Sequence, residues 1–372
     1  WTDHFSYNTD LLESYEGIFP DRVKDLLFDN RSFTFYDNDH VMASRSTKFR
    51  LVGGTVRQYE SVRMDIEKAQ LINNRSSEKN IARDEHGLGR PYYISLAAKL
   101  LGLIANKAAS FDAAGIGIEM EADKPDWYDA LNGLPGLFGS SLSETMELKR
   151  IALFLQKHHN GNAVLLPEEI AEFIQGLLAL NGKLTDFEYW DRSYALKESF
   201  RAKTRLGVGG KEVNLTAVEI RQFMDKVINK CSRAAEKVKK QHGNYYTYFI
   251  NEAVDFEQSD GDKARIKKFV QHPLPLFLEG FVHVLKVEQD RAIPALVKKS
   301  PLYDRALKMY KVNAPLKDTP VEIGRARIFT PGWLENESVW LHMEYKYMLE
   351  LLRAGLYREF FDDFKKVMVP FM

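Results

Sequence analysis

Cysteine is nearly absent from this sequence, since Cys231 is the only thiol among 372 residues. A single cysteine excludes an intramolecular disulfide and any metal site built from several thiolates, so we expect no metal cofactor of that kind. It is compatible with a reducing cytoplasm, which is the compartment that we expect. The sequence also lacks a run of 18 apolar residues, which argues against a membrane-spanning helix and a membrane partner.

The sequence also lacks an excess of charge of either sign. Lys+Arg and Asp+Glu each number 52, so the formal net charge is zero. This balance argues against a nucleic-acid partner, because phosphate backbones bind basic surfaces. The chain begins at Trp1 without a Met and ends in an apolar pattern at Met372. We therefore expect residues 1–372 to be one catalytic-type domain cut from a longer multidomain protein.

Apolar residues recur at intervals of three and four, which predicts helices rather than strands. The clearest helical patterns cover residues 94–109, 142–159, 167–180, 186–205 and 215–241. Ser141-x-x-Glu144 and Thr216-x-x-Glu219 have the spacing of capping boxes at helix starts. Neither a period-2 strand ladder nor βαβ alternation is evident. The predicted fold class is therefore all-α, as a toroid or bundle of helical hairpins.

The stretch Asp126–Ser141 combines acidic and aromatic residues with a turn rich in Gly and Pro. Its first four residues are Asp126, Trp127, Tyr128 and Asp129, and its end carries a capping box. This pattern predicts an irregular loop that leads into a rigid helix, an arrangement on which catalytic residues are often placed. The alternative interpretation is a turn with two solvated acids and a core Trp.

Tryptophan occurs mostly in polar, irregular segments rather than in apolar runs. Trp190 is the exception, and its helical pattern predicts a core position. Aromatic rings beside carboxylates and amides are what a sugar site needs, because the rings stack on C–H faces and the polar groups bind hydroxyls. Ordinary aromatic packing in loops is the alternative. The tryptophans in polar segments are Trp1, Trp127, Trp333 and Trp340.

Cleavage of a glycosidic bond needs a protonated carboxyl beside the leaving oxygen, and Asp129 is our candidate. The neighbouring Trp127 would desolvate this acid and raise its pKa. His342 is the candidate second group, with Glu335 and Glu337 shortly before it. A histidine could hold phosphate and a glutamate could activate water, and spacing alone does not choose between them. The alternative for His342 is a core residue on an apolar helix face.

These motifs together resemble the cellobiose/chitobiose phosphorylase family, and in particular its large bacterial and oligoglucan-phosphorylase members. The resemblance is carried by Trp1-Thr-Asp3-His, by Asp126-Trp-x-Asp129, and by the stretch from Trp333 to His342. It implies an (α/α)6 barrel of the six-hairpin type, complete or incomplete. It also implies an inverting reaction in which inorganic phosphate, without another cofactor, attacks a β-glucoside. Glu337-Ser338 stand where the family has two glycines.

The resemblance also implies roles for individual residues. Asp129 matches the family's general acid, and His342 matches its phosphate-binding histidine. Asp3 matches an aspartate that holds the non-reducing sugar, and we expect Trp1, Trp127 and Asp126 to contribute to substrate binding. Trp333, Glu335 and Glu337 complete the predicted set of substrate-binding residues.

Three hypotheses follow. The first is an inverting glycoside phosphorylase that acts on β-linked gluco-oligosaccharides and releases sugar 1-phosphate, with a homodimer among the expected assemblies. The second is an inverting hydrolase on the same fold, with Glu335 or Glu337 as the base. The third is a carbohydrate-binding barrel without catalysis. The first two require Asp129 and the second group to converge on one sugar ring.

Overall fold

The fold combines helices with antiparallel sheets. The computed structural model describes residues 2–121, 131, 136–180 and 182–367. The chain is about 50% helix and 19% strand. The prediction of an all-α fold is therefore wrong, and the structure does not show the expected (α/α)6 barrel of helical hairpins.

The described ranges contain helices of very different length. Short 3-10 and π turns occur between them. The helices are α1 (Thr2–Ile18), α2 (Arg45–Lys48), α3 (Ile66–Asn73), α4 (Leu96–Ala108), α5 (Leu142–His158), α6 (Glu168–Ala179), α7 (Asp186–Lys203), α8 (Ala217–His242), α9 (Leu278–Glu288), α10 (Ile293–Lys299), α11 (Leu341–Arg353) and α12 (Tyr357–Val367).

The strands of the described residues form one larger sheet and four two-stranded ribbons, all antiparallel. The larger sheet has the order β10-β9-β6-β5, and the ribbons pair β1 with β4, β2 with β3, β7 with β8, and β11 with β12. The strands are β1 (His40–Met42), β2 (Phe49–Val52), β3 (Thr55–Gln58), β4 (Val62–Met64), β5 (Ile118–Met120), β6 (Gly139–Ser141), β7 (Val164–Pro167), β8 (Glu212–Leu215), β9 (Tyr248–Gln258), β10 (Ala264–Pro273), β11 (Tyr303–Asp304) and β12 (Met309–Tyr310).

The long β9–β10 hairpin accounts for much of the error in the predicted fold class. Phe256 lies between two acids in β9, and Ile266 lies between two basic residues in β10, which is the alternation of a strand. The two residues face each other in the register. The strands meet at a turn around Gly261, whose φ is +64°. Neither strand was predicted from the sequence.

Helices dominate the core, as their periodicity predicted. The predicted helix at 142–159 is observed as α5, and α6, α7 and α8 also lie close to their predicted ranges. α4 is buried along most of its length, because its residues are apolar nearly all round. Trp190 is buried, as its helical pattern predicted, and Cys231 is buried as well. α5 packs against α1, α4, α8 and α9 and is therefore the central helix of the core.

Four helices, α1, α5, α9 and α11, run in the same direction. Residues from their last turns line one surface groove, namely Glu16, Lys157, Gln289 and Arg353. A contact in the first halves of α1 and α11 is consistent with this parallel arrangement, because Nζ of Lys346 donates to the hydroxyl of Tyr7 at 2.9 Å. The N-terminal ends of these helices consequently lie together at the opposite end of the bundle. This end includes His342 near the start of α11 and Ser141, the described end of the Asp126–Ser141 motif.

Within the described ranges, none of the helices combines the length and the apolar character that a membrane crossing requires.

Candidate functional site

Part of the predicted site falls on positions outside the described residues: Trp1, Asp126, Trp127 and Asp129. The backbone of Asp3 belongs to α1, and its side chain also lies outside the described part. The described part of the site therefore consists of the residues that flank these positions, of Glu335 and Glu337 in the turn before α11, and of His342 in its first turn.

The predicted residues before α11 form a surface turn in which the two glutamates face different cations. Trp333 is 59% exposed. The carboxylate of Glu335 lies 3.4 Å from the guanidinium of Arg325. The carboxylate of Glu337 lies 3.2 Å from Nζ of Lys311. Each glutamate is thus held close to a different positively charged side chain.

Asn313 fixes the backbone of this turn against the start of α9. Its side-chain NH2 donates to the carbonyl of Glu335, and its side-chain oxygen accepts the N–H of Glu337 at 2.8 Å. Asn313 also forms a β-bridge with Phe277, the residue before α9. Because Asn313 is fully buried, these bonds are shielded from water. The turn is therefore rigidly attached to the N-terminal end of α9.

His342 is the second residue of α11 and lies on the surface. Its ring centroid is 5.2 Å from that of Trp340, with the rings inclined at 37°. The alternative interpretation of His342 as a core residue is therefore wrong. Its position in the first turn of a helix adds favourable partial positive charge for an anion.

The other predicted motif, Asp126–Ser141, leads directly into α5 at the same end of the bundle. Ser141 is the N-cap, and its hydroxyl accepts the N–H of Glu144 at 3.5 Å. The N–H of Leu142, the first helical residue, donates to the carbonyl of Thr247 at 2.8 Å. The capping box is only half formed, because the Glu144 carboxylate pairs with Lys107. The described end of this motif is consequently anchored to β9.

Thr247 connects the start of α5 to the start of α9. Its hydroxyl donates to the carbonyl of Phe277 at 3.2 Å and accepts the N–H of Gly280 at 2.9 Å. Phe277 in turn bridges to Asn313, which holds the turn before α11. One continuous hydrogen-bond path therefore joins Leu142, directly after the Asp126–Ser141 motif, to the turn that precedes His342.

A group of buried charges lies beneath these helix starts. Glu147 of α5 is fully buried, and its carboxylate is 2.7 Å from Nδ1 of His283 in α9. Arg150 and Lys286 lie 3.2 and 3.4 Å from the same carboxylate. Burial alone would raise the pKa of Glu147, but the His283 hydrogen bond and the neighbouring cations hold it well below its usual range. Glu147 is therefore an ionised structural anchor rather than a proton donor.

Glu279 extends this group toward the sheet. It is fully buried in the first turn of α9, and it accepts a 2.5 Å hydrogen bond from the hydroxyl of Tyr248. Its carboxylate also lies 3.9 Å from Nε2 of His283. His283 is thus a buried, hydrogen-bonded residue of α9. The ring connects the carboxylates of α5 and α9.

The chain before the Asp126–Ser141 motif is held by a second buried ion pair. Lys48 donates to the carboxylate of Glu121 and to the hydroxyl of Tyr194. Burial opposes the charge on Lys48, but Glu121 raises the pKa of this lysine above its ordinary value. Next to this pair, the indole N–H of Trp190 donates to Glu119 at 2.7 Å. Both described flanks of the motif are consequently fixed by buried polar contacts.

A cleft of about 620 Å³ opens beside the described end of the motif. Phe138 and Tyr246 contribute aromatic surface, and Asn251 contributes an amide. Glu252 and His272 form a polar pair 3.0 Å apart on the cleft wall. Within the described residues, the amide nitrogen of Asn251 has no hydrogen-bond partner. Rings, an amide and carboxylates in one cleft are suited to bind a polyhydroxylated ligand.

Sequence reasoning did not find the buried charges of α5. Glu144, Glu147 and Arg150 recur every three residues, which places them on one side of the helix. Charged residues along one side of the central helix indicate buried ion pairs, since charges are rarely buried without partners. Their partners on other helices could not be read from the sequence.

The described residues contain no group of three His, Cys, Asp or Glu side chains arranged to hold a metal ion. Comparison of the whole chain with protein-family models and with curated proteins gives no match.

Proposed function

We propose that this chain is the catalytic core of an inverting glycoside phosphorylase that acts on β-linked gluco-oligosaccharides. Asp129 is the general acid, and His342 binds the attacking inorganic phosphate. Both assignments come from the sequence motifs and their resemblance to the cellobiose/chitobiose phosphorylase family.

The observation that carries the proposal is the hydrogen-bond path at the N-terminal ends of the parallel helices. It links Leu142, through Thr247 and Asn313, to the turn before α11. Sequence positions almost two hundred residues apart are thereby held in one rigid framework. The cleft of about 620 Å³ lies next to that framework and has room for more than one sugar unit.

The chemistry assigns one role to each group. Asp129 gives its proton to the leaving glycosidic oxygen while the C1–O bond breaks. A phosphate oxygen attacks C1 from the opposite face, so a β-linked substrate gives an α-linked sugar 1-phosphate. His342 and the first turn of α11 supply positive charge to the phosphate. Glu337, three residues before the helix N-cap, is held by Lys311, which limits its repulsion of the phosphate.

Hydrolysis by inversion is the second candidate, and one observation favours it. Three carboxylates line the cleft, namely Glu252, Asp318 and Glu322. Arg57 offsets one of them by pairing with Glu322 at 2.8 Å, and the remaining acidic charge disfavours a phosphate dianion in the cleft. Glu335 or Glu337 would then act as the base that activates water. Glu335 lies beside Arg325, and Glu337 lies beside Lys311.

Product analysis over a panel of β-gluco-oligosaccharides, with and without inorganic phosphate, tests the proposal. We expect sugar 1-phosphate, detected by ³¹P and ¹H NMR, only when phosphate is present. Release of free sugar at the same rate without phosphate would support the hydrolase. Oligosaccharide binding without any turnover would support the non-catalytic barrel.

Asp129→Asn tests the assigned acid. We expect cleavage to fall by a factor of about 10²–10⁴, the usual contribution of a general acid. Asp362→Asn, at an exposed position of α12, is the matched control and should leave the rate unchanged. Undiminished cleavage by the Asp129 variant would overturn the assignment.

A further inference from the structure

A second polar pocket, remote in sequence from the predicted catalytic residues, lies along α8. It has a volume of about 250 Å³ and includes Asp186 and Tyr189 from α7. Four basic residues of α8 line it: Lys226, Lys230, Arg233 and Lys237. Their spacing of four, three and four places them on one side of the helix. We refer to this site as the α8 pocket.

Lys230 lies at the base of the α8 pocket and is only 9% exposed. Its ammonium is 3.9 Å from the ring centroid of Tyr189 and 4.8 Å from that of Phe111. Burial lowers the pKa of Lys230 despite the nearby charge of Asp186. The ammonium of Lys230 has therefore lost most of its hydrating water, and an anion bound beside it would stabilise its charged form.

The described residues that line the α8 pocket supply a single carboxylate, that of Asp186, and Asp112 adds a weaker negative field at Lys230. The Asp186 carboxylate lies 2.9 Å from Nζ of Lys237 and 3.7 Å from that of Lys230, so two cations share it. Lys226 instead donates to the carbonyl oxygens of Leu177 and Leu178 at the end of α6. Like charges at i, i+4 on a helix repel one another. The pocket thus contains more positive charge than its described carboxylate balances.

We propose that the α8 pocket binds a phosphate dianion, either as inorganic phosphate or as the phosphate group of a small metabolite. Arg233, exposed at the rim, supplies a planar donor set that matches phosphate oxygens, and Lys230 and Lys237 supply ammonium donors below it. The small volume admits a phosphate with little attached organic material, which disfavours a nucleotide. This inference is independent of the proposed catalytic function.

Isothermal titration with inorganic phosphate, at constant ionic strength, tests the α8 pocket. The background is the His342→Gln variant, which removes the proposed catalytic phosphate ligand. We expect saturable binding that Arg233→Gln weakens about tenfold, the effect of losing one charge-assisted hydrogen bond. Lys230→Met, which keeps the packing against Tyr189 and Phe111, should weaken binding at least as much. A parallel titration with glucose 1-phosphate distinguishes free phosphate from a phosphate monoester as the preferred ligand.

Lys240→Gln is the matched control, because Lys240 is an exposed lysine of the same helix outside the pocket. We expect this variant to bind phosphate as its background does. Equal affinity in the Arg233, Lys230 and Lys240 variants would overturn the proposal, as would an identical titration with chloride. Absence of phosphorolysis in the parent protein, with phosphate binding at the α8 pocket intact, would contradict only the proposed function.

Discussion

The buried charges beneath the helix starts and the charges in the turn before α11 are the same residue types in different surroundings. Glu147 is fully buried and has His283, Arg150 and Lys286 as partners from two helices. The guanidinium 3.4 Å from Glu335 belongs to Arg325, whose side chain is 67% exposed, while the side chain of Glu335 is 15% exposed. Solvent screens the second pair and hardly reaches the first.

This difference separates residues that hold the fold together from residues that remain available to a ligand. A buried carboxylate that loses a cation keeps its desolvation cost without compensation. An exposed pair regains water when it breaks, so its contribution is small. Substitutions at the buried charges should therefore change stability, and those in the turn should change function while the fold survives.

Arg150→Met should have the largest effect on stability. Arg150 lies 2.5 Å from both Asp10 and Glu13, and 3.2 Å from the buried Glu147. We expect the free energy of unfolding to fall by about 3–5 kcal/mol, as when one partner of a buried ion pair is removed. Urea unfolding followed by circular dichroism measures this change.

Arg325→Met is the matched control for this prediction. Its partner Glu335 belongs to the turn before α11, and we expect a loss of about 1 kcal/mol or less. Equal losses in the two variants would show that burial does not distinguish the two regions.

Glu344→Gln should have an intermediate effect that depends on pH. Burial in α11 raises the pKa of Glu344 to about 7, against 4.5 for the free side chain. One of its oxygens accepts the N–H of Tyr310 at 2.5 Å, and the other has no partner within the described residues. The folded protein therefore binds this proton more tightly than the unfolded chain does. The contribution of this proton to the stability of the fold is complete below pH 4.5 and is lost as the pH rises through about 7.

The amide of the Glu344→Gln variant stays neutral at every pH. At pH 8 we expect it to be more stable than the parent by about 3 kcal/mol, and at pH 4.5 to be nearly equal to it. Melting temperatures at the two pH values measure the difference. The exposed Asp362→Asn should not show this pattern, and a benefit at both pH values would contradict the explanation.

His342→Gln should have the smallest effect on stability, because the side chain is exposed. We expect a change within about 0.5 kcal/mol, typical of surface substitutions. Phosphate-dependent cleavage should fall in the same variant if His342 binds the phosphate. A large loss of stability would instead show that His342 is a structural residue.

Much of the helical structure could be predicted because helix signals are local. The Thr216-x-x-Glu219 pattern predicted a capping box, and both of its hydrogen bonds are present at the start of α8. The bounds of α5 and α7 agree closely with the apolar periodicity. The four-stranded sheet could not be predicted equally well, since β6 pairs with β9 across more than a hundred residues of chain. Short segments such as Gly139–Ser141 carry little strand signal of their own.

The sequence by itself determined where the helices α4 to α8 begin and end to within a few residues, because each helix forms hydrogen bonds between residues four apart. It also identified the motif residues for the proposed reaction. Only the tertiary structure decided that α5, α9 and α11 start at one end, joined through Thr247 and Asn313. It also decided which charges are buried. The physical reason is that burial and ion pairing depend on contacts between segments far apart in the chain. The spacing of residues within one segment does not specify those contacts.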